Sequence, residues 1–122
     1  MARLDHMSLP VGDWKRSRDF WRDVLGFSVE FELPGDGGVA MVDEADLTVF
    51  LGPGEVAAKP GLSFTVQVDD VEARHAELAA RGVAFVHPPM KVYWGYGAEL
   101  TDPDGYRIML WDEASMKAKG GG

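Results

Sequence analysis

The chain lacks cysteine and is poor in basic residues. None of its 122 residues is Cys, which excludes disulfides, thiolate metal sites, iron–sulfur clusters and cysteine nucleophiles. The 20 Asp and Glu residues outnumber the 12 Lys and Arg residues, leaving a formal net charge of -8, so we expect neither a nucleic acid nor an anionic membrane surface as a partner. No stretch approaches the roughly 18 apolar residues of a membrane span, and the first residues lack the apolar core of a signal peptide. The sequence therefore predicts a soluble, cytoplasmic protein.

The hydrophobic pattern repeats once along the chain. Hydrophobic residues make up 46% and charged residues 26% of the sequence, as in ordinary globular proteins. Alternating and helical periodicities predict the order β-α-β-β-β in residues 1–56 and again in residues 57–115. We therefore expect an α+β fold of two modules in one structural domain, with residues 116–122 as a flexible tail.

Helix signals stand at matching places in the two modules. Asp13 is the expected N-cap of a helix that ends at Gly26. Asp69 and Glu72 have the spacing of a capping box for a second helix, which ends before Gly82. The pattern then predicts a strand at residues 83–86, an irregular Pro- and Gly-rich loop at 87–97, and a hairpin turn at 102–105 between the last two strands.

The predicted strands have one aliphatic face and one mixed face. Side chains alternate across a strand, so the two faces can be separated by residue number. The mixed face could be exposed to solvent or buried in a protein interface. Because large apolar residues lie there beside polar ones, we favour a small-molecule pocket. The apolar members are Phe50, Met109 and Trp111, and the polar members are His6, Ser63, Thr65, Glu99 and Arg107.

Three stretches resemble a known superfamily. They are LDHMSLPV at residues 4–11, FWRDVLGF at 20–27 and TDPDGY at 101–106, and they resemble the vicinal oxygen chelate superfamily of glyoxalases, bleomycin resistance proteins and extradiol dioxygenases. The resemblance covers about residues 3 to 113. It implies paired βαβββ modules whose curved mixed sheets form a cup, helices on the outer face, and a functional homodimer.

The resemblance also implies where a divalent metal would bind. In the superfamily's enzymes, His or Glu residues from equivalent strands hold the ion. His6 matches one such position, whereas Phe50, Ser63 and Met109 occupy the other three. A phenyl ring cannot ligate, a hydroxyl is a poor ligand and a thioether prefers soft metals. We therefore expect no metal cofactor, although a metal held through His6, with Glu99 as a second ligand, is conceivable.

The leading hypothesis is a metal-independent protein that binds a small molecule, such as a drug, as the bleomycin resistance proteins of this superfamily do. No catalytic residue is identified. An alternative is a metal-dependent lyase, isomerase or dioxygenase with an atypical site anchored by His6, and a third is a dimeric interaction module without a small ligand. Loop aromatics Trp94 and Tyr96 are expected to cover the ligand, by analogy with the superfamily. The predicted ligand-binding residues are His6, Phe50, Ser63, Thr65, Trp94, Tyr96, Glu99, Arg107, Met109 and Trp111.

Overall fold

The computed structural model describes residues 1–121 and confirms the α+β fold of two βαβββ modules. The first module contains β1 (His6–Val11), α1 (Trp14–Asp23), β2 (Ser28–Leu33), β3 (Gly38–Val42) and β4 (Thr48–Pro53). The second contains β5 (Ser63–Gln67), α2 (Val71–Ala80), β6 (His87–Val92), β7 (Gly95–Thr101) and β8 (Arg107–Trp111), and a third helix, α3 (Glu113–Lys119), follows it.

The chain is divided into two compact units. The first comprises Met1–Ala58 and the turn Asp102–Asp104, and the second comprises Lys59–Thr101 and the chain from Gly105 onward. The division after Ala58 lies two residues beyond the module boundary predicted after residue 56. The turn Asp102–Asp104 lies within the sequence of the second module but belongs to the first unit, because its side chains contact the first helix.

Each unit contains one mixed four-stranded sheet. The strand orders are β1-β4-β3-β2 and β5-β8-β7-β6. In both sheets the first pair is parallel and the other two pairs are antiparallel. The registers correspond, since Ser8 pairs with Phe50 in the first sheet and Thr65 pairs with Met109 in the second. The predicted repeat is therefore present at the level of individual strand pairs.

Helix α1 covers one face of the first sheet. Its N-cap is Asp13, whose carboxylate accepts from two backbone N–H groups of the first turn, as predicted. One side of the helix buries Trp14, Ser17 and Trp21. We call the face of each sheet that packs against its helix the helix face and the opposite one the distal face.

The turn Asp102–Asp104 fixes α1 through buried carboxylates. Asp102 accepts a hydrogen bond from Trp21 Nε1 at 3.3 Å. Asp104 accepts from Ser17 Oγ at 3.2 Å and from the Gly12 backbone N–H at 3.2 Å. The predicted hairpin between β7 and β8 is confirmed by their antiparallel pairing, and its aspartates also satisfy polar groups of the first unit.

In the second unit, one buried carboxylate accepts hydrogen bonds from backbone N–H groups of two helices. Asp112 is 2% exposed. It accepts from the Val71 N–H at the start of α2, at 2.6 Å, and from the Ser115 N–H in α3, at 2.6 Å. The N-cap of α2 is Asp70, whose side chain accepts from Ala73 N–H. The predicted capping box at Asp69 is therefore one residue too early.

The prediction for residues 83–97 is wrong. No strand forms at 83–86, and the predicted loop contains β6 at 87–92 and the start of β7 at Gly95. Proline lacks an N–H and is tolerated at a sheet edge or a bulge. Pro88 and Pro89 meet both conditions, because β6 is an edge strand and its register shifts between His87 and Met90.

Residues 113–119 form α3, where the sequence predicted a flexible tail from residue 116. Asp112 caps this helix, and a Glu113–Lys117 ion pair at 3.1 Å supports it with the favourable i,i+4 spacing. Gly122, the last residue of the predicted tail, lies outside the described residues. Within residues 1–121, none of the helices combines the length and apolar character needed to cross a membrane.

Replacing Asp112 by Asn should destabilise the fold by about 1–3 kcal/mol at neutral pH, because a buried N–H loses its acceptor. Burial raises the pKa of Asp112, but the hydrogen bonds from Val71 and Ser115 outweigh it, so the pKa is lowered overall. A carboxyl with a lowered folded-state pKa stabilises the fold above its unfolded pKa, and this contribution is lost as the pH falls below about 4. Urea unfolding between pH 3 and 7 measures the difference.

The matched control is Asp70→Asn, an exposed N-cap where Asn is an equally good residue. We expect it to change the free energy of unfolding by only a few tenths of a kcal/mol. An Asp112→Asn variant as stable as the wild type at pH 7 would contradict the role assigned to this carboxylate.

Candidate functional site

The strand registers align side chains in rows across the distal face of the first sheet. One row contains Ser8, Phe50, Ala40 and Phe31. The next contains His6, Thr48, Val42 and Ser28. Both predicted site residues of this unit, His6 and Phe50, therefore lie on the distal face, in neighbouring rows.

A cleft of about 490 Å³ opens on this face. Its volume is within the range of about 300–1,000 Å³ that small-molecule sites occupy. All its lining residues belong to the first unit: Arg3, Asp5, His6, Glu30, Phe31, Ala40, Val42, Asp46, Thr48 and Phe50.

The wall formed by Phe50 depends on two glycines. The phenyl ring lies over Gly52 and Gly38, where an added Cβ would be 2.9 Å and 3.1 Å from ring atoms. Gly38 also has a φ of 107°, in the region that favours glycine. The ring therefore lies close to the backbone of the sheet.

Polar groups of the cleft form two hydrogen-bonded pairs. His6 Nδ1 lies 2.9 Å from Asp5 Oδ2, and the two side chains are 49% and 95% exposed. The Thr48 hydroxyl donates to Glu30 Oε2 at 3.0 Å. The site thus combines apolar walls with a few oriented polar groups, as is typical of small-molecule sites.

Sequence reasoning missed Glu30 and Phe31 as site residues, because a β-bulge changes the alternation of β2. Val29 pairs with Met41 on the helix face, whereas Phe31 pairs with Ala40 on the distal face. Strict alternation would have placed Val29 and Phe31 on the same face. Thr48 could be deduced from the sequence, since alternation along β4 places it on the same face as Phe50.

In the second unit, most of the predicted site residues share the distal face of β5 and β8. Ser63 pairs with Arg107, Thr65 with Met109, and Gln67 with Trp111. Glu99 joins this face through its pairing with Met109. Ser63 and Thr65 are exposed, whereas Met109 is 4% exposed.

Glu99 and Arg107 form a two-pronged ion pair. Arg107 Nε donates to Glu99 Oε2 at 3.1 Å, and a guanidinium NH₂ donates to Oε1 at 3.0 Å. Arg107 also donates to the Pro60 carbonyl. Hydrogen bonding by Arg107 lowers the pKa of Glu99. Glu99 is therefore a carboxylate at neutral pH and is poorly suited to act as a general acid.

The two predicted loop aromatics lie on opposite faces of the second sheet. Trp94 packs over Gly97, on the same face as Glu99. Tyr96 is 9% exposed, donates to Glu72 of α2 at 2.5 Å, and has its ring 5.1 Å from the Lys119 ammonium. The hydrogen bond to Glu72 raises the pKa of Tyr96. The sequence predicted Tyr96 as a loop residue that covers the ligand, whereas the structure places it in β7 with its side chain toward the helices.

The donor set does not fit a divalent metal of the kind the superfamily's enzymes bind. Among residues 1–121, no three His, Asp or Glu side chains lie close enough together to hold an ion. His6 shares its row with Thr48, which supplies a hydroxyl, and Phe50 in the neighbouring row supplies a phenyl ring. For a borderline or hard cation, a hydroxyl is a poor ligand and a phenyl ring is no ligand at all.

The fold and the site define a class of protein. Two βαβββ modules, each with a mixed sheet and a helix on one face, are the architecture of a known superfamily. Its family model matches residues 3–110, and the chain belongs to this Glyoxalase/Bleomycin resistance protein/Dioxygenase superfamily.

Solved structures give more specific similarities. TnmS3, an antibiotic binding protein from Streptomyces sp. CB03234, is 32% identical with a TM-score of 0.74, over 92% of this chain and 96% of that one. A superfamily member from Sphaerobacter thermophilus DSM 20745 is 26% identical with a TM-score of 0.75, over 93% and 98%. Lactoylglutathione lyase from Agrobacterium tumefaciens, at 19% identity and a TM-score of 0.71 over 92% and 94%, shares the fold. A comparison with curated proteins gives no match.

Replacing Arg107 by Met should raise the pKa of the Glu99 carboxyl, because its burial persists while its strongest hydrogen-bond donor is removed. NMR titration of the glutamate side-chain carboxyl carbons measures the shift. Arg81→Met, which removes an exposed arginine paired with Glu77, is the control and should leave Glu99 unchanged. A Glu99 titration that is the same in both variants contradicts the assigned cause.

Proposed function

We propose that the protein binds a small organic molecule with aromatic character in the cleft of the first unit, and that it does so without a metal ion. The observation that supports this proposal most strongly is the cleft, whose volume suits a small organic molecule. Phe31 and Phe50 form its walls, and Thr48 and Glu30 form a hydrogen-bonded polar pair. Apolar walls contribute affinity by burial, and a few polar groups fix orientation.

An antibiotic is the favoured class of ligand. The similarity to the antibiotic binding protein TnmS3, at 32% identity over 92% of this chain, supports it. Sequestration in such a cleft would lower the free concentration of a toxic molecule without chemistry. We therefore propose a binding role in drug resistance, with no catalytic residue.

Metal independence rests on the chemistry of the side chains around His6. Phe50 and Thr48 lie next to it in the register, and no described group of three His, Asp or Glu side chains could complete a site. A single imidazole is too few ligands for tight binding of a catalytic metal.

We also propose that the distal face of the second sheet contacts ligand, through the residues predicted from the sequence other than Tyr96. Trp94 provides an apolar surface there, and the Glu99–Arg107 pair provides a polar one with balanced charge. These residues are Ser63, Thr65, Trp94, Glu99, Arg107, Met109 and Trp111.

Phe31→Ala should weaken binding of an aromatic ligand about tenfold, because an apolar wall of the cleft is lost. Leu33→Ala is the matched control, since Leu33 lies on the same strand, is 41% exposed against 47% for Phe31, and does not line the cleft. Calorimetric titration with a panel of aromatic antibiotics identifies a binder in the wild type and then measures the affinity of each variant. Equal affinities for the two variants would contradict the cleft.

The same titration tests metal independence. Protein treated with EDTA and dialysed should bind the ligand as tightly as untreated protein, and His6→Ala should contain the same trace amount of metal as the wild type. Stoichiometric metal that disappears in His6→Ala, or binding that returns only when a divalent cation is added, would favour a metal-dependent lyase, isomerase or dioxygenase instead.

We further propose a cytoplasmic homodimer, as the sequence and the superfamily resemblance led us to expect. The exposed apolar side chains of Phe31 and Leu33, which share the distal face of β2, support a partner surface. Sedimentation velocity at micromolar protein should show a species of twice the 13.3 kDa chain mass. A single species of monomer mass removes the dimer from the proposal.

A further inference from the structure

Glu30 lines the cleft from the β-bulge of β2. It occupies the bulge of β2 between Val29 and Phe31, so its position is set by the same irregularity that turns Phe31 to the distal face. One carboxylate oxygen, Oε2, accepts from the Thr48 hydroxyl at 3.0 Å. A carboxylate has lone pairs for about four hydrogen bonds, so Oε1 retains its full accepting capacity.

The two glutamates of β2 are paired differently. Glu32 accepts from Arg18 at 2.6 Å, and this hydrogen bond raises the pKa of Arg18. Among the described residues, no Lys, Arg or His forms an ion pair with Glu30, whose partner is a neutral hydroxyl. The charge of Glu32 is balanced within the protein, whereas that of Glu30 is balanced by solvent.

The other charged residues of the cleft do not offset Glu30. Its lining contains the carboxylates of Asp5, Glu30 and Asp46 and one permanent cation, Arg3. His6, the remaining titratable group, lies 2.9 Å from Asp5. The electrostatic potential of the cleft is therefore favourable for a cation.

An aromatic ligand against Phe31 and Phe50 would exclude water from the neighbouring Glu30. Removing a carboxylate from water is costly unless a donor or a positive charge replaces the lost hydration. A site with such a group rejects ligands that leave it unpaired. We propose that Glu30, oriented by Thr48, selects aromatic ligands that carry a protonated amine. This inference rests on the proposed binding function of the cleft.

The test uses three probes that share one ring system and differ in charge: 2-naphthylmethylamine, 2-naphthalenemethanol and 2-naphthoate. At pH 7 they are cationic, neutral and anionic. We expect the wild type to bind the amine about tenfold more tightly than the alcohol, since a charge-assisted hydrogen bond is stronger than a neutral one. The naphthoate should bind most weakly, because its carboxylate is repelled by Glu30. Calorimetry or equilibrium dialysis gives the three dissociation constants.

Glu30→Gln keeps the shape of the side chain and removes its charge. The preference for the amine over the alcohol should therefore fall from about tenfold to less than about twofold. Thr48→Val should reduce the preference partly, because Glu30 keeps its charge but loses its orienting donor. Glu32→Gln is the control and should retain the full preference, since Glu32 does not line the cleft. Urea unfolding of each variant confirms that the fold persists.

The outcomes separate this inference from the proposed function. If all three probes bind in a Phe31-dependent way but Glu30→Gln leaves the preference unchanged, the role of Glu30 is wrong and the cleft stands. If the wild type binds none of the probes, both proposals are overturned for aromatic ligands of this size.

Discussion

The structure depends on one constraint, which is the burial of one face of each sheet against helices of the same unit. Helix-facing side chains such as Val39, Leu51 and Leu110 are completely buried, and a slip of one residue would expose all of them. Burial of the helix face therefore fixes the register of the strands that carry these residues, β3, β4 and β8. The distal face follows from that register, because alternate residues must point to it.

The two units apply this constraint to different side chains. Ala40 pairs with Phe50 in the first sheet, and Glu99 pairs with Met109 at the corresponding place in the second. Thr48 corresponds in the same way to Arg107, since they pair with His6 and Ser63. The small residues leave room for a cleft in the first unit, whereas a long ion pair occupies the same positions in the second. One repeated backbone thus carries two different surfaces.

Membership of the superfamily establishes the architecture and leaves the chemistry open, since one fold can carry both binding and catalysis. The proposed organic ligand rests on the aromatic and hydroxyl groups around His6, and the proposed preference for a protonated amine rests on the carboxylate of Glu30.

The sequence by itself determined the two modules, the capping of α1 and the faces of β1, β4, β5 and β8, because these follow from periodicity and local hydrogen bonding. Tertiary structure decided the rest. The bulges in β2 and β6 are set by pairing with neighbouring strands, so the positions of Glu30 and Phe31, the strand at Pro88 and Pro89, and the orientation of Tyr96 toward α2 could not be deduced from alternation. Helix α3 likewise depends on Asp112, whose carboxylate is held by α2 as well.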